Sequence, residues 1–267
     1  MHTIAVNTAT LSSGLRLPYA ETGDPSGIPV VLVHAYAESW RYFEAVLQRL
    51  PATVHCYSPS MRGHGDADRP LDGYRLDDFA ADLVEFLDVV GVDRAALVGT
   101  SSGGLISQSV ASSRPDRVSA LILVSSPVIL AGKPMVVGMT DEIMSLSDPL
   151  DPGFVREFVR STSPESVPDD FAEVLVEESL KAPAAVWQAT LRGLLDADLP
   201  VAFGRITAPT LLICGGQDVL ACADQDRLLR GIADSRLITY RGIGHAMHLA
   251  HPGPVADDVM AFLAARV

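Results

Sequence analysis

Residues 97–107 read LVGTSSGGLIS: an apolar run enters a glycine-rich turn that carries two adjacent serines and opens a helical pattern. A nucleophile on a sharp strand-to-helix turn needs small residues two places before and two places after it, because the chain nearly meets itself there. For Ser101 those neighbours are Gly99 and Gly103. For Ser102 they are Thr100 and Gly104, and a β-branched threonine fits poorly. The register therefore selects Ser101. Ser102 then becomes the following residue, whose backbone N–H points at a developing oxyanion from the start of the next helix. The G-x-S-x-G letters alone also describe a glycine-rich helix start packed on a strand, so the surroundings have to decide.

Working outward, short apolar runs alternate with helical patterns. Residues 15–21 and 53–57 read as strands, while 30–34, 95–99, 118–126, 210–214 and 236–240 read as central strands buried on both faces. Residues 77–90 open with Asp77 and Asp78 and repeat apolar groups through Phe79, Leu83, Phe86, Leu87 and Val90, which predicts a helix stopped by Gly91. Further helices are expected over 102–113 and 254–265. Such alternation specifies an α/β fold, a mostly parallel sheet covered by helices on both faces. From Pro127 to about Leu199 the rhythm breaks into helical patches separated by prolines. The expected organisation is a core of residues 1–126 and 200–267 with a helical lid inserted over 127–199.

A serine hydroxyl needs a base, and the base needs an orienting acid. LLICGGQDVLA (211–221) is a strand followed by a loop with Asp218, and LITYRGIGHAMH (237–248) is a strand followed by a loop with His245. Each of the three residues lies just beyond a strand's carboxyl end, so a parallel sheet gathers them on one edge. Taken singly, a loop aspartate and a Gly-His turn need no catalytic explanation. Together, in the order Ser101, Asp218, His245, they do.

With these residues the chain resembles the α/β-hydrolase family, in its lidded form, over essentially its whole length. It also carries VLVHAYAESW (31–40), similar to the family's His-Gly segment, and SMRGHGDADRP (60–70), similar to its Arg-Gly-x-Gly-x-Ser turn. The resemblance implies that Tyr36 supplies a second oxyanion N–H. Ala35 stands where the family has glycine, and Asp66 where it has the last serine. A serine at 101, rather than an aspartate, sets the chain apart from the dehalogenase and epoxide hydrolase relatives.

Composition narrows the partners. Twenty basic against 33 acidic side chains give a formal charge of −13, which disfavours nucleic acid. No window approaches the ~20 apolar residues of a membrane span, and the N-terminal stretch lacks signal-peptide character. Cys56, Cys214 and Cys222 are widely spaced and read as reduced thiols, which suits a cytoplasmic location. His245, His248 and His251 form H-x2-H-x2-H without an accompanying carboxylate motif, so no metal is assigned. His248 reads as a solvent-facing loop histidine, with the pocket rim as the alternative, and His34 as an organiser of the oxyanion loop. No nucleotide-binding glycine motif appears, and no cofactor is expected.

The candidate substrate-binding residues are Ala35, Trp40, Met135, Met139, Trp187 and Met247, which describe an apolar pocket with few charges. The expected activity is hydrolysis of a carboxylic ester or lactone of a small apolar molecule by a monomer or homodimer. Two alternatives stay open: hydrolysis of a carbon–carbon bond in a diketone-like substrate, and a hydrolase-fold receptor with little turnover.

Overall fold

The computed structural model describes residues 3–162, 167–197 and 202–266. Among these, eight strands form one sheet: β1 (Ala5–Thr10), β2 (Arg16–Gly23), β3 (Ile28–Val33), β4 (Val54–Pro59), β5 (Ala95–Thr100), β6 (Val118–Val124), β7 (Thr210–Gly215) and β8 (Ser235–Tyr240). Their spatial order is β1-β2-β4-β3-β5-β6-β7-β8. Strand β2 runs antiparallel to β1 and β4, and every other neighbouring pair is parallel. The α/β class read from the sequence is the class observed.

Period-2 alternation sorts the core into two layers. Val31, Val33, Leu97, Leu121 and Leu123 face one side, while Val30, Leu32, Ala96, Val98 and Ile122 face the other. Helices α1 (Glu44–Leu47), α2 (Leu76–Val89) and α3 (Ser101–Ser113) follow the first strands. The first turn of α2 carries Asp77 and Asp78, and the Asp78 carboxylate accepts from the Arg75 N–H at 2.8 Å, fixing where that helix begins. Between β6 and β7 the described residues form α4 (Pro134–Met144), α5 (Pro152–Thr162), α6 (Asp169–Leu180) and α7 (Ala184–Leu195). There α5 packs on α6 and α4 on α7. The expected boundary between 199 and 200 lies outside the described residues. Helices α8 (Gln225–Gly231), α9 (Met247–Ala250) and α10 (Pro252–Arg266) complete the chain order.

Two strand expectations need correction. Strand β1, absent from the sequence reading, is an edge strand whose residues are mostly exposed, so AVNTAT shows no apolar alternation. Strand β8 is buried on neither face throughout, because it closes the opposite edge of the sheet. Cys56 and Cys214 are buried thiols and Cys222 an exposed one, none of them paired. No helix among the described residues is long and apolar enough to cross a membrane.

Candidate active site

The parallel strands deliver β3, β5, β7 and β8 to one edge with their carboxyl ends together. Ser101 follows β5 directly and takes φ +47°, a left-handed conformation that costs a non-glycine residue energy. The turn is tight enough to explain its glycines. A Cβ on Gly99 would sit 2.5 Å from the Gly103 carbonyl oxygen, and one on Gly103 would sit 2.2 Å from the Val33 carbonyl oxygen. Those contacts press the start of α3 onto the end of β3, so the serine turn and the loop after β3 are one packed unit.

His245 bridges to Ser101 and Asp218. Its Nδ1 lies 2.9 Å from Asp218 Oδ2, and its Nε2 lies 2.9 Å from Ser101 Oγ. An ionised carboxylate only accepts, so Nδ1 carries the proton and Nε2 is left to accept from the serine hydroxyl. Asp218 is 2% exposed. Burial works against its charge, but the His245 hydrogen bond and the N–H groups of Ala221 and Leu220 hold its pKa below the usual carboxylate value.

The loop after β3 is fixed by His34. Its Nδ1–H donates to the Ala35 carbonyl at 2.8 Å and its Nε2 accepts from the Met61 N–H at 2.9 Å. Burial, then the neighbouring His64, lowers its pKa to about 3, so it stays neutral. In the same loop the Tyr36 N–H donates to Ser102 Oγ at 2.8 Å, and the Tyr36 hydroxyl donates to the Trp187 carbonyl at 2.9 Å. The Ser102 N–H belongs to the first turn of α3, where helix geometry supplies no acceptor. In the turn after β4, Arg62 grips the Asp82 carboxylate with two hydrogen bonds, and exposed Asp66 pairs with Lys181 at 2.7 Å.

Above this floor lies a cavity of about 330 Å³, lined by Ser101, Ser102, Ala35, Tyr36 and His245 below. Met135, Val136, Met139 and Ile143 of α4, Phe154 and Phe158 of α5, and Leu191 and Leu194 of α7 form its roof. Of the residues expected to line a pocket, Ala35, Met135 and Met139 do so. Trp40 and Met247 do not: both pack into the core layer on the far side of the sheet, at 8% and 0% exposure. Trp187 stands behind the wall, its ring edge-to-face with Tyr36 at 5.4 Å and Phe158 at 4.9 Å.

Of the two readings of His248, the pocket one is observed, while three glutamates there escaped the sequence reading. His248 is not solvent-facing; α9 buries it to 1% exposure, with Nδ1 3.3 Å from Thr100 Oγ1, and burial lowers its pKa to about 3. His251 instead stacks on Tyr240, so the three histidines part company. Glu38, Glu142 and Glu157 also line the cavity, which corrects the picture of a pocket with few charges. The Glu38 carboxylate accepts from the Ala35 N–H at 2.8 Å while its own N–H donates to the Ala35 carbonyl. That reciprocal pattern resembles a capping box, and the Glu three residues after Ala35 was its available signal. Burial pushes the Glu38 pKa up to about 8.

Residues 28–182 match the family model described as the alpha/beta hydrolase fold. A non-heme chloroperoxidase of Streptomyces lividans is 26% identical, with 97% of this chain and 99% of that protein covered. A 2-hydroxymuconate semialdehyde hydrolase of Pseudomonas sp. (strain CF600) is 27% identical, with 95% and 92% covered. The solved structure of an esterase from Exiguobacterium antarcticum superimposes with a TM-score of 0.86 at 22% identity, over 97% of this chain and 99% of that one, a likeness of fold alone.

Proposed function

The chain belongs to the α/β-hydrolase fold family, and from that premise we propose that it is a serine hydrolase of carboxylic esters or lactones. The observation that carries this reading is His245 held between Ser101 and Asp218 at 2.9 Å on each side. In the proposed reaction the Ser101 hydroxyl adds to the carbonyl carbon as its proton passes to His245 Nε2. Asp218 holds the ring in the required tautomer and stabilises the imidazolium. The carbonyl oxygen, now an anion, is received by the Ser102 N–H and by the Tyr36 N–H, which exchanges Ser102 Oγ for it. Each such donor is worth roughly 3 kcal/mol in the transition state. His245 returns the proton to the leaving alkoxide, and a water then repeats the sequence on the acyl-enzyme.

We read residues 127–199 as the lid that shapes this pocket, since the cavity roof comes from α4, α5 and α7. A small-molecule substrate acted on without a cofactor, in the cytoplasm, completes the reading.

The test is hydrolysis of p-nitrophenyl esters and apolar lactones by the wild type, Ser101→Ala and Ser102→Ala. Turnover abolished by Ser101→Ala and only weakened by Ser102→Ala is the expected result. Turnover that survives Ser101→Ala overturns the assignment.

A further inference from the structure

Hydrolysis at Ser101 makes no use of the charges around it. The cavity wall holds three carboxylates, Glu38, Glu142 and Glu157, and no Lys or Arg among the described residues lines it. Glu142 and Glu157 are exposed on α4 and α5 and mark the mouth. Glu38 sits deeper, in the loop that also presents Ala35 and Tyr36 to the cavity. Its Oε2 is satisfied by the Ala35 N–H. No described group hydrogen-bonds Oε1, and no described cation acts on the carboxylate.

Withdrawing a carboxylate from water into an apolar wall is costly unless a partner offsets it. Here the wall supplies one backbone N–H and no cation, so burial favours the protonated acid, and a cation in the cavity would favour the ionised form and pair with it. The other surfaces suit the same kind of guest. Tyr36, Phe154 and Phe158 line the cavity, and aromatic faces attract ammonium groups within about 6 Å. A formal charge of −13 adds a field that concentrates cations and repels anions at a low-dielectric cleft.

We propose that this cavity selects esters or lactones bearing an ammonium-type cation, paired inside by Glu38 and drawn to the mouth by Glu142 and Glu157. The proposal rests on the hydrolase reading for its chemistry and adds the class of substrate. A carboxylated substrate would meet the two mouth carboxylates and no counter-cation, and would hold Glu38 in its uncharged form.

The experiment compares three p-nitrophenyl esters of equal chain length, ending in trimethylammonium, in its neutral tert-butyl isostere, or in carboxylate. The expected order of kcat/KM is cation over neutral by at least about tenfold, with the carboxylate lowest. The ratio of cation to neutral should fall towards one in Glu38→Gln, which keeps an oxygen for the Ala35 N–H. It should fall by a smaller factor in Glu157→Gln, an exposed position that leaves folding intact. Equal rates for the cationic and neutral esters in the wild type, with turnover still lost in Ser101→Ala, would overturn the proposal and leave the hydrolase reading standing. If no ester is turned over, calorimetric binding of butyltrimethylammonium to the wild type and Glu38→Gln decides alone: binding weakened by the substitution supports the cation site, and no binding or an unchanged affinity overturns it.

Discussion

At the floor of the cavity, Ser101, Asp218 and His245 each stand within five residues of a strand's end, on backbone whose position the sheet dictates. At the roof, Met135, Met139, Phe154 and Phe158 come from helices of a segment tied to the core by side chains such as Tyr36 and Tyr42 and by the Lys181–Asp66 pair. The floor is joined by hydrogen bonds of 2.9 Å and by close backbone contacts at Gly99 and Gly103. The roof is joined mainly by apolar and aromatic packing, which tolerates exchange of one shape for a similar one. Under the proposed function, a floor residue governs whether a bond is broken, and a roof residue governs whose bond it is.

The strongest way to break this division is at Asp218. Asp218→Asn keeps the shape but favours the wrong histidine tautomer, and kcat should fall by about 10⁴-fold with KM little changed. A fall of less than tenfold would mean that His245 takes its orientation from elsewhere. Next in size is Phe158→Ala in the roof. It removes a cavity wall and a 4.9 Å aromatic contact with Trp187. KM for bulky acyl groups should change by about tenfold, with kcat for the smallest ester nearly preserved. If kcat for every ester falls equally, roof and floor do not divide the work.

The gentlest test uses pH. His34, His64 and His248 are held neutral by burial, with pKa values lowered to about 3, 4 and 3. The unfolded chain binds protons at these sites from about pH 6.5 downward while the folded chain does not. Their contribution to stability is complete above that value and is lost as pH falls, with a slope approaching 1.4 kcal/mol per pH unit for each residue. Residues 127–199 contain no histidine, so this loss belongs to the floor. Urea midpoints measured between pH 7 and pH 4 should fall steeply, and His64→Gln should make the slope shallower. An unchanged slope would show that His64 is protonated in the folded protein.

The same division explains what was legible in the sequence. Ser101, Asp218 and His245 could be placed because a strand followed by a turn fixes a residue to within a place or two, and the parallel sheet does the rest. Which face a roof helix turns inward depends on its neighbours, so Met135 and Met139 were found while Trp187 was set a layer too near. Trp40 looked like a pocket residue because it lies four places beyond Tyr36. A short turn beginning at Ser39 carries it instead to the far core layer, where Arg41 covers its ring at 4.7 Å. His248 was left between solvent and pocket because a four-residue helix has too little periodicity to reveal which side is buried.

Tyr36 belongs to both parts, and this bears on how a chain of this fold can be re-engineered or can drift. Its phenol is bound by a main-chain carbonyl on α7, which any amino acid at position 187 would provide. The donor is specific and the acceptor generic, like a plug that fits a standard socket. A transplanted helical segment of foreign sequence would keep this attachment wherever its backbone passes the same point, without inheriting a tryptophan. Replacement of Tyr36 by phenylalanine would instead unfasten every such graft at once. Position 36 thus sets the terms on which new pockets can be fitted to an old reaction centre.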